Sequence, residues 1–437
     1  MLAVPAMFDD LQRQAIRDAG RIAGLNVLGL VTEPAAAVLG SAAIPGQGGG
    51  GGRGRGRDDD SKVLVYDLGA GSFDVAALQV SERGVEVLAS GGDAFLGGED
   101  FDQRIVTFIC EEILRTGGGD LRRDRSLLAR LKVMAERVKI ELSTSRSVDI
   151  QLPGPPGRVP VIVRLDRERL ETLTKDLIDR TVWACESVVR DAKWTAGEID
   201  VLLLVGGQTR MPGIRTQLDD VFGKEPLEIP SPDLVVAAGA ARRAVSIVGG
   251  GRWRGRARDR VSLTELTCLS LGLESAGGVF ARLIPRGTQL PAARSQVIST
   301  AADGQTQISI HLLQGEREMA ADNESVAHIH IGPLPSRPRG EVQVEVSIST
   351  DGGGLPSATA RALPEGEAKQ VRLRPSGGLS DAEIAALAAV HAGTPGAAVA
   401  VALTADLGDA PPEPLADGET EQEMTSAPGI DPRAHGG

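Results

Sequence analysis

The sequence predicts an α/β domain over residues 1–250 followed by an all-β domain over residues 266–378. Two observations predict this. Up to residue 250, apolar runs of strand length alternate with longer stretches of helical periodicity, the pattern of helices laid on a sheet. From 261 to about 375 the helical period is gone, and short alternating runs are separated by Gly, Pro and Asp turns. Gly249 to Gly251, then Arg252, Arg254, Arg256, Arg258 and Arg260, mark the break. A chain of 437 residues is long enough for two or three such domains.

Taken in order, residues 1–8 read as the end of a strand, and a helix follows over 9–23. Phe8, Leu11, Ala15, Ala19, Ile22 and Ala23 recur at helical spacing, and Gly24 stops the helix. A strand at 27–31 leads to Glu33 and Pro34, with the proline placed to open the next helix. Residues 45–62, a glycine run followed by Arg53, Arg55 and Arg57, read as an inserted solvated loop in preference to an RNA-binding arm. Strands are expected at 63–68, 72–80 and 85–90, and helices at 99–115, 126–142 and 166–192. In the second of these helices Leu128, Leu131, Met134 or Ala135, Val138 and Leu142 line one face. The unbroken apolar run at 201–205 predicts a fully buried strand, which passes through Gly206 and Gly207 into a helix from near Pro212. Ser231-Pro232-Asp233 opens another helix, to about residue 245. Residues 251–265 form the interdomain linker. In the β domain, Pro356 falls within a predicted strand, where it removes a ladder donor. Ser380-Asp381-Ala382-Glu383 resembles a capping box opening a short helix over 379–392, and 393–437, rich in Ala, Pro, Gly and acids, reads as a disordered tail.

Composition narrows the function. Aromatics are 3%, so the cores rest on Val, Leu, Ile and Ala. A formal net charge of −12 argues against a nucleic-acid partner, which demands phosphate neutralisation by Lys and Arg. Three widely separated cysteines fit reduced thiols of an intracellular protein better than a disulfide framework. His328 and His330 alternate as on one strand face and lack zinc-like spacing. No apolar run has membrane-spanning length and no signal peptide is read, so no membrane partner is expected.

Three motifs bear on chemistry. Tyr66 to Asp74 joins two strands through Gly69, Ala70, Gly71 and Ser72; small residues let backbone N–H groups approach a phosphate, and Ser72 adds a hydroxyl. Asp67 and Asp74 flank the turn, where carboxylates hold the water shell of Mg²⁺ or orient an attacking water; the competing reading is a tight hairpin with two surface aspartates. Gly206-Gly207-Gln208-Thr209-Arg210 sits between a buried strand and a helix, where glycines let a flat ligand such as adenosine lie on the backbone or serve packing alone. Glu136, Lys139 and Ser143 share one helix face, as ligand contacts or as a solvated stripe.

Together these elements resemble the DnaK-type heat-shock chaperones. The resemblance runs from about residue 2 to 390. It is carried by Val4-Pro5-Ala6, Gln12-Arg13-Gln14, Asp18-Ala19-Gly20-Arg21, Glu33-Pro34, the Gly-rich hairpin, Leu96-Gly97-Gly98-Glu99-Asp100-Phe101-Asp102, the Glu136 helix, 206–212 and Asp233. In the β domain it is carried by Leu269 to Glu274, Ser299-Thr300-Ala301-Ala302-Asp303, Gln314 to Glu318 and Arg339-Gly340, with wording closest to mitochondrial and bacterial members. The resemblance implies an actin-like (ribonuclease H-like) ATPase domain, incomplete here, followed by a β-sandwich peptide-binding domain. It implies ATP or ADP with Mg²⁺ as cofactors, with no direct protein ligand to the metal. Asp67, Asp74, Ser72 and Glu33 are the implied catalytic set, and Gly69 to Ser72 cradle the phosphates. Gly97, Gly98, Glu99, Glu136, Lys139, Ser143, Gly206, Gly207, Gln208, Arg210 and Asp233 are the further nucleotide contacts. Leu273, Ile298, Ile308 and Ile310 are the implied pocket for one apolar client side chain, and Ala276 and Ala301 the arch over an extended peptide. The implied partners are unfolded or extended polypeptide clients, a J-domain co-chaperone and a nucleotide exchange factor, in a mitochondrial or cytoplasmic setting.

The sequence also departs from the family pattern. The first phosphate loop and catalytic lysine have no counterpart, and would precede Met1. An N-terminal truncation is therefore expected, with an uncertain ATPase, since losing one preorganised donor costs on the order of 10²–10³ in rate. Strands at 2–8 and 27–31 are expected to lose their sheet partners, leaving an aggregation-prone face. Ala70 stands for a family Gly, Thr32 for Asn and Cys268 for Pro. Ser262 and Thr264 weaken the apolar linker strand expected to dock on the ATPase domain, and the lid expected after Val390 does not follow. The main alternative is a client- or partner-binding fragment without an ATPase cycle; a sugar kinase or actin-like protein is disfavoured by the β domain.

Overall fold

The computed structural model describes residues 1–41, 60–81, 84–117, 119–152, 161–227, 229, 231–248, 262–363, 369–371 and 379–391. The expected tail at 393–437, the stretch 249–261 and most of the Gly/Arg segment lie outside them; of the expected loop at 45–62, Ser61 and Lys62 already belong to a strand.

The chain opens with β1 (Leu2–Val4), α1 (Asp10–Ile22), β2 (Leu30–Thr32) and α2 (Glu33–Gly40). Asp9 and Gln12 cap α1 reciprocally: Gln12 N–H donates to Asp9 Oδ1 at 2.8 Å and Asp9 N–H to Gln12 Oε1 at 3.0 Å. Gly24, at φ 81°, ends the helix in a backbone region that glycine enters without strain. The strands expected to be left unpaired take each other, β1 lying parallel to β2 with Leu2 opposite Leu30. The apolar face expected for α1 is not its buried one. Ala15 and Ala19 are exposed, whereas Asp10, Arg13, Asp18 and Gly20 are buried. Helical spacing registered the alanines, but α1 turns Asp10 and Arg13 toward the β part, where they meet the Gln314 side chain and Gly353 O, and packs Gly20 on Leu2 and Val27.

A five-stranded sheet follows, in the order β8-β3-β4-β5-β9, from β3 (Ser61–Leu68), β4 (Phe73–Ser81), β5 (Gly84–Asp93), β8 (Val201–Val205) and β9 (Ser262–Thr264). β3–β4 and β4–β5 are antiparallel, while β3–β8 and β5–β9 are parallel. Both faces are covered. Leu64, Tyr66 and Leu68 point into a core with α3 (Gly98–Arg115), α4 (Arg125–Thr144), α5 (Arg167–Asp191) and α6 (Pro212–Phe222). Val63 and Val65 point into a second core with α2 and α7 (Val235–Val248). Alternate residues thus serve opposite cores, which is why the run is unbroken in hydrophobicity. The helix expected from Ser231 begins later, after a turn at 232–234. Between α4 and α5 the hairpin β6 (Ser147–Leu152) and β7 (Val161–Asp166) was not foreseen.

Helices α2 and α7 cross with backbones in contact. A Cβ on Gly239 would lie 1.7 Å from Ala36 O, and one on Gly40 would lie 2.0 Å from Val235 O. Ser262–Thr264, in the expected linker, docks on this sheet as β9, opposite Gly84–Glu86. Its bonds are main-chain and indifferent to Ser262 and Thr264, while Leu263 alone supplies apolar packing.

The β part contains two four-stranded antiparallel sheets. One has the order β11-β10-β13-β14, from β10 (Leu271–Ser275), β11 (Val279–Ile284), β13 (Ile308–Gln314) and β14 (Glu324–Ile331). The other is β12-β15-β16-β17, from β12 (Ala292–Ser299), β15 (Gln343–Thr350), β16 (Pro356–Leu363) and β17 (Lys369–Val371). Leu271, Leu312 and Ile329 from the first share one core with Val344, Val346 and Ile348 from the second. Pro356 is the first residue of β16, opposite Thr350, a position that tolerates a missing donor. Helix α8 (Asp381–His391) starts with the expected box, Ser380 N–H to Glu383 Oε2 at 2.7 Å and Glu383 N–H to Ser380 Oγ at 3.2 Å. It packs beside α1, where Arg21 and Asp381 pair at 2.9 Å.

The β part is seated on the α/β part by polar contacts. Glu265 accepts from Thr32 N–H at 2.8 Å and Thr32 Oγ1–H at 2.6 Å, so the threonine has a defined partner. Arg286 donates to Ser90 O at 3.1 Å and Gln289 to Glu86 at 2.6 Å.

Candidate nucleotide site

Antiparallel register places Asp67 directly opposite Asp74 at the mouth of the β3–β4 hairpin. Gly69 N–H donates to Ser72 O at 3.0 Å and closes the turn. The turn is held from outside by the start of α3: Gly98 N–H donates to Gly69 O at 2.9 Å and Glu99 N–H to Ala70 O at 2.8 Å. A Cβ on Gly97 would fall 2.3 Å from Ala70 O, so only glycine permits this contact. Helix starts carry unsatisfied N–H groups, and here the turn's own carbonyls take two of them. Gly97, Gly98 and Glu99 therefore act in this structure as the clamp on the turn.

The reading of Asp67 and Asp74 as surface residues is overturned. They are 6% and 1% exposed. Asp74 Oδ1 accepts from Ala6 N–H at 2.8 Å, which ties the hairpin to the segment after β1. Burial, then the charges of Glu33 and Asp74, pushes the Asp67 carboxyl well above its ordinary value. Burial, then the Glu33 charge, pushes Asp74 up to about 7, against the backbone N–H bonds from Ala6 and Met7. Burial raises Glu33 as well, at the N-terminal turn of α2. Three carboxyls from three elements thus gather behind the turn, in surroundings that favour a nearby cation.

The other predicted contacts gather in two groups. Lys139 Nζ donates to Gly98 O at 2.7 Å and pairs with Asp102 at 2.9 Å. A Cβ on Gly98 would stand 3.0 Å from both Lys139 Nζ and Gln208 Oε1, so these three residues meet. Ser143 Oγ–H turns back to Lys139 O at 3.4 Å, and Glu136 is exposed. Gly206, at φ 86°, lies against Leu68 and Asp67, where a Cβ would be 2.2 Å from Leu68 O. Beyond it Arg210 and Asp233 form an exposed ion pair at 2.7 Å, whose hydrogen bond lowers the Asp233 carboxyl. Around Gly71 and Gly207 an added Cβ would meet nothing within 4 Å. These open glycines beside buried carboxyls fit a phosphate ester with its cation. Sequence reasoning missed Asp102 as a site residue, although it closes the Leu96–Asp102 motif; its role appears only when α4 brings Lys139 to it.

In the β part, Leu273, Ile308 and Ile310 lie in the shared core, and Ile298 packs half-buried against it. Ala276 and Ala301 are exposed in the turns after β10 and β12. His311 and His328 stack at 4.0 Å on the outer face of the first sheet, and His311 Nδ1 lies 2.8 Å from Glu274. Among the described residues, no three His, Cys, Asp or Glu side chains are grouped to hold a metal ion directly.

The profile of the Hsp70 protein family matches residues 1–397. The chain belongs to the Hsp70 family. The family's ATPase domain is actin-like, and its members are chaperones that bind ATP or ADP with Mg²⁺ and act on unfolded polypeptides with co-chaperones.

Proposed function

We propose that this chain is a DnaK-type chaperone that binds Mg-nucleotide at the β3–β4 hairpin and an extended apolar peptide segment on its β part. The observation that supports this most is the trio Glu33, Asp67 and Asp74, buried behind a glycine turn that the start of α3 clamps. Magnesium would neutralise the phosphate oxygens and, through its water shell, face Asp67 and Asp74. A cation there would hold Asp67 and Asp74 ionised, their protons released to solvent, so binding would strengthen as pH rises through the raised carboxyl range. Glu33 orients a water for attack. Gly69 to Ser72 keep the backbone close to the phosphates, Gly206 packs on Leu68 and Asp67, and the open Gly207 leaves the adenosine flat room. On the β part, main-chain bonds give general peptide affinity, and selectivity comes from a client side chain that enters at half-buried Ile298 and displaces packing in the core now filled by Leu273, Ile308 and Ile310.

Single-turnover ATP hydrolysis by the purified chain, with bound nucleotide followed in parallel, tests this reading. Hydrolysis above an Asp67→Ala control supports the full chaperone cycle. Binding without hydrolysis points to a nucleotide-held client-binding scaffold, and no nucleotide binding removes the proposed role of the hairpin.

A further inference from the structure

The first turn of α1 buries the carboxyl of Asp10 where it meets no ion-pair partner among the described residues. Asp10 is 2% exposed, and among the described residues neither of its side-chain oxygens has a hydrogen-bond partner. It lies where the β part meets α1. Asp10 N–H donates to Gln314 Oε1 of β13 at 2.9 Å, and Cys268 Sγ–H donates to Phe8 O at 3.2 Å. Among the described residues, the buried cation beside it is already committed. Arg13, 3% exposed, donates to Phe8 O at 2.9 Å, Gly353 O at 3.0 Å and Ala6 O at 3.1 Å. A buried ionised carboxylate without partners is costly, whereas a neutral carboxyl is far cheaper to enclose.

We propose that seating the β part on α1 takes up a proton at Asp10, so that ionisation of this carboxyl loosens the contact between the two parts of the chain. The groups facing it are Arg13 and Asp9 from its own segment, Gln314 from β13, Asp351 from the β15–β16 turn, and the Cys268 thiol. Burial raises the carboxyl from 3.8 to about 7; Arg13 and then Gln314 oppose this, and Asp9 and Asp351 reinforce it. The seated form therefore binds a proton that the separated form releases at lower pH. Seating is favoured in acid, weakens as pH rises from about 4 to about 7, and changes no further through this group once both forms are ionised. The contact thus acts as a proton-linked coupling between the nucleotide and peptide parts, and the coupling holds whether or not the hairpin hydrolyses ATP.

Hydrogen exchange of the full chain between pH 5 and 8, corrected for intrinsic rates, tests this on the α1 and β9 amides. In the wild type their protection should fall by up to about tenfold per pH unit until near pH 7, the limit for one linked proton. Asp10→Asn, which keeps the shape and removes the charge, should lose that slope and be the better protected protein at pH 7.5. Glu265 is also buried and raised at this contact, so the difference between the two proteins is the diagnostic. Gln314→Leu should lower protection at every pH while keeping the slope, and β3–β4 amides report that each variant is folded. Parallel curves for wild type and Asp10→Asn overturn the proposal. If Asp10→Asn does not fold, a flat wild-type curve between pH 5 and 7 overturns it, and the sloped one supports it.

Discussion

The β3–β4 hairpin and the foot of α1 bury carboxyls equally well and use them differently. Asp74 is 1% exposed and Asp10 is 2% exposed, and burial pushes both to about 7. Asp74, however, accepts backbone N–H bonds from the Ala6–Met7 segment and faces Asp67 across the ladder, whereas Asp10 accepts from none of the described residues. Burial alone decides the direction of each shift. The hydrogen bonds decide whether the charged form has somewhere to reside: the hairpin can hold an anion opposite an incoming cation, and the α1 contact cannot.

The largest effect should come from breaking the frame that presents Glu33 to the hairpin. Gly239→Ala sets a methyl 1.7 Å from Ala36 O, a backbone atom that cannot swing aside. The expected loss is about 3 kcal/mol or more, or failure to fold, measured by urea denaturation.

A smaller effect separates the two carboxyls directly. Asp74→Ala should cost about 1–3 kcal/mol, because it leaves the Ala6 N–H buried without its acceptor. Asp10→Ala strands no such donor, so in urea melts at pH 7 it should cost less than Asp74→Ala. Equal losses would mean that the N–H bonds do not distinguish the two sites.

The pH response sharpens the same contrast. A carboxyl raised by folding is neutral in the folded chain and ionised in the unfolded one across the intervening range. Its effect on stability is nil below the ordinary value of 3.8, grows unfavourable as pH rises, and levels off near 7. Without nucleotide, the melting temperature of wild type relative to Asp74→Asn should therefore fall between pH 4 and 7. Saturating Mg-ATP should reverse the trend above pH 6, and calorimetric scans with and without ligand check both.

The smallest expected effect on stability is at Arg210. Its ion pair with Asp233 is exposed, so Arg210→Ala should change unfolding free energy by only ~0–0.5 kcal/mol. Nucleotide affinity should nonetheless weaken measurably in equilibrium binding, because the proposed adenosine contact is lost.

Much of this was legible residue by residue. The hairpin strands, the 201–205 strand and the Gly24 stop follow from local rules of alternation, unbroken apolar runs and glycine conformation, and the structure places them within a few residues. The motif glycines at 69, 71, 97, 98, 206 and 207 were also visible as a pattern; at 97 and 206 only glycine admits the close backbone approach found there, whereas 71 and 207 stand open. What escaped was less local. The spacing of Ala15 and Ala19 implied a buried face that is in fact solvent-exposed, because helical period cannot tell which surface another part of the chain will cover. The β6–β7 hairpin was missed because Ser147–Leu152 and Val161–Asp166 pair only across an intervening stretch.

The sequence by itself determined most of the elements of the α/β part and the family motifs, since these rest on side-chain period and on residues with special backbone freedom. Only the tertiary structure decided that Asp67 and Asp74 are buried, that Gly98 and Glu99 clamp the turn, that Ser262–Thr264 adds to the sheet, and that Asp10 is sealed between α1 and Gln314. Each of these depends on groups distant in sequence that exclude water together, and solvent exclusion is a property of the packed assembly that no local stretch of chain encodes.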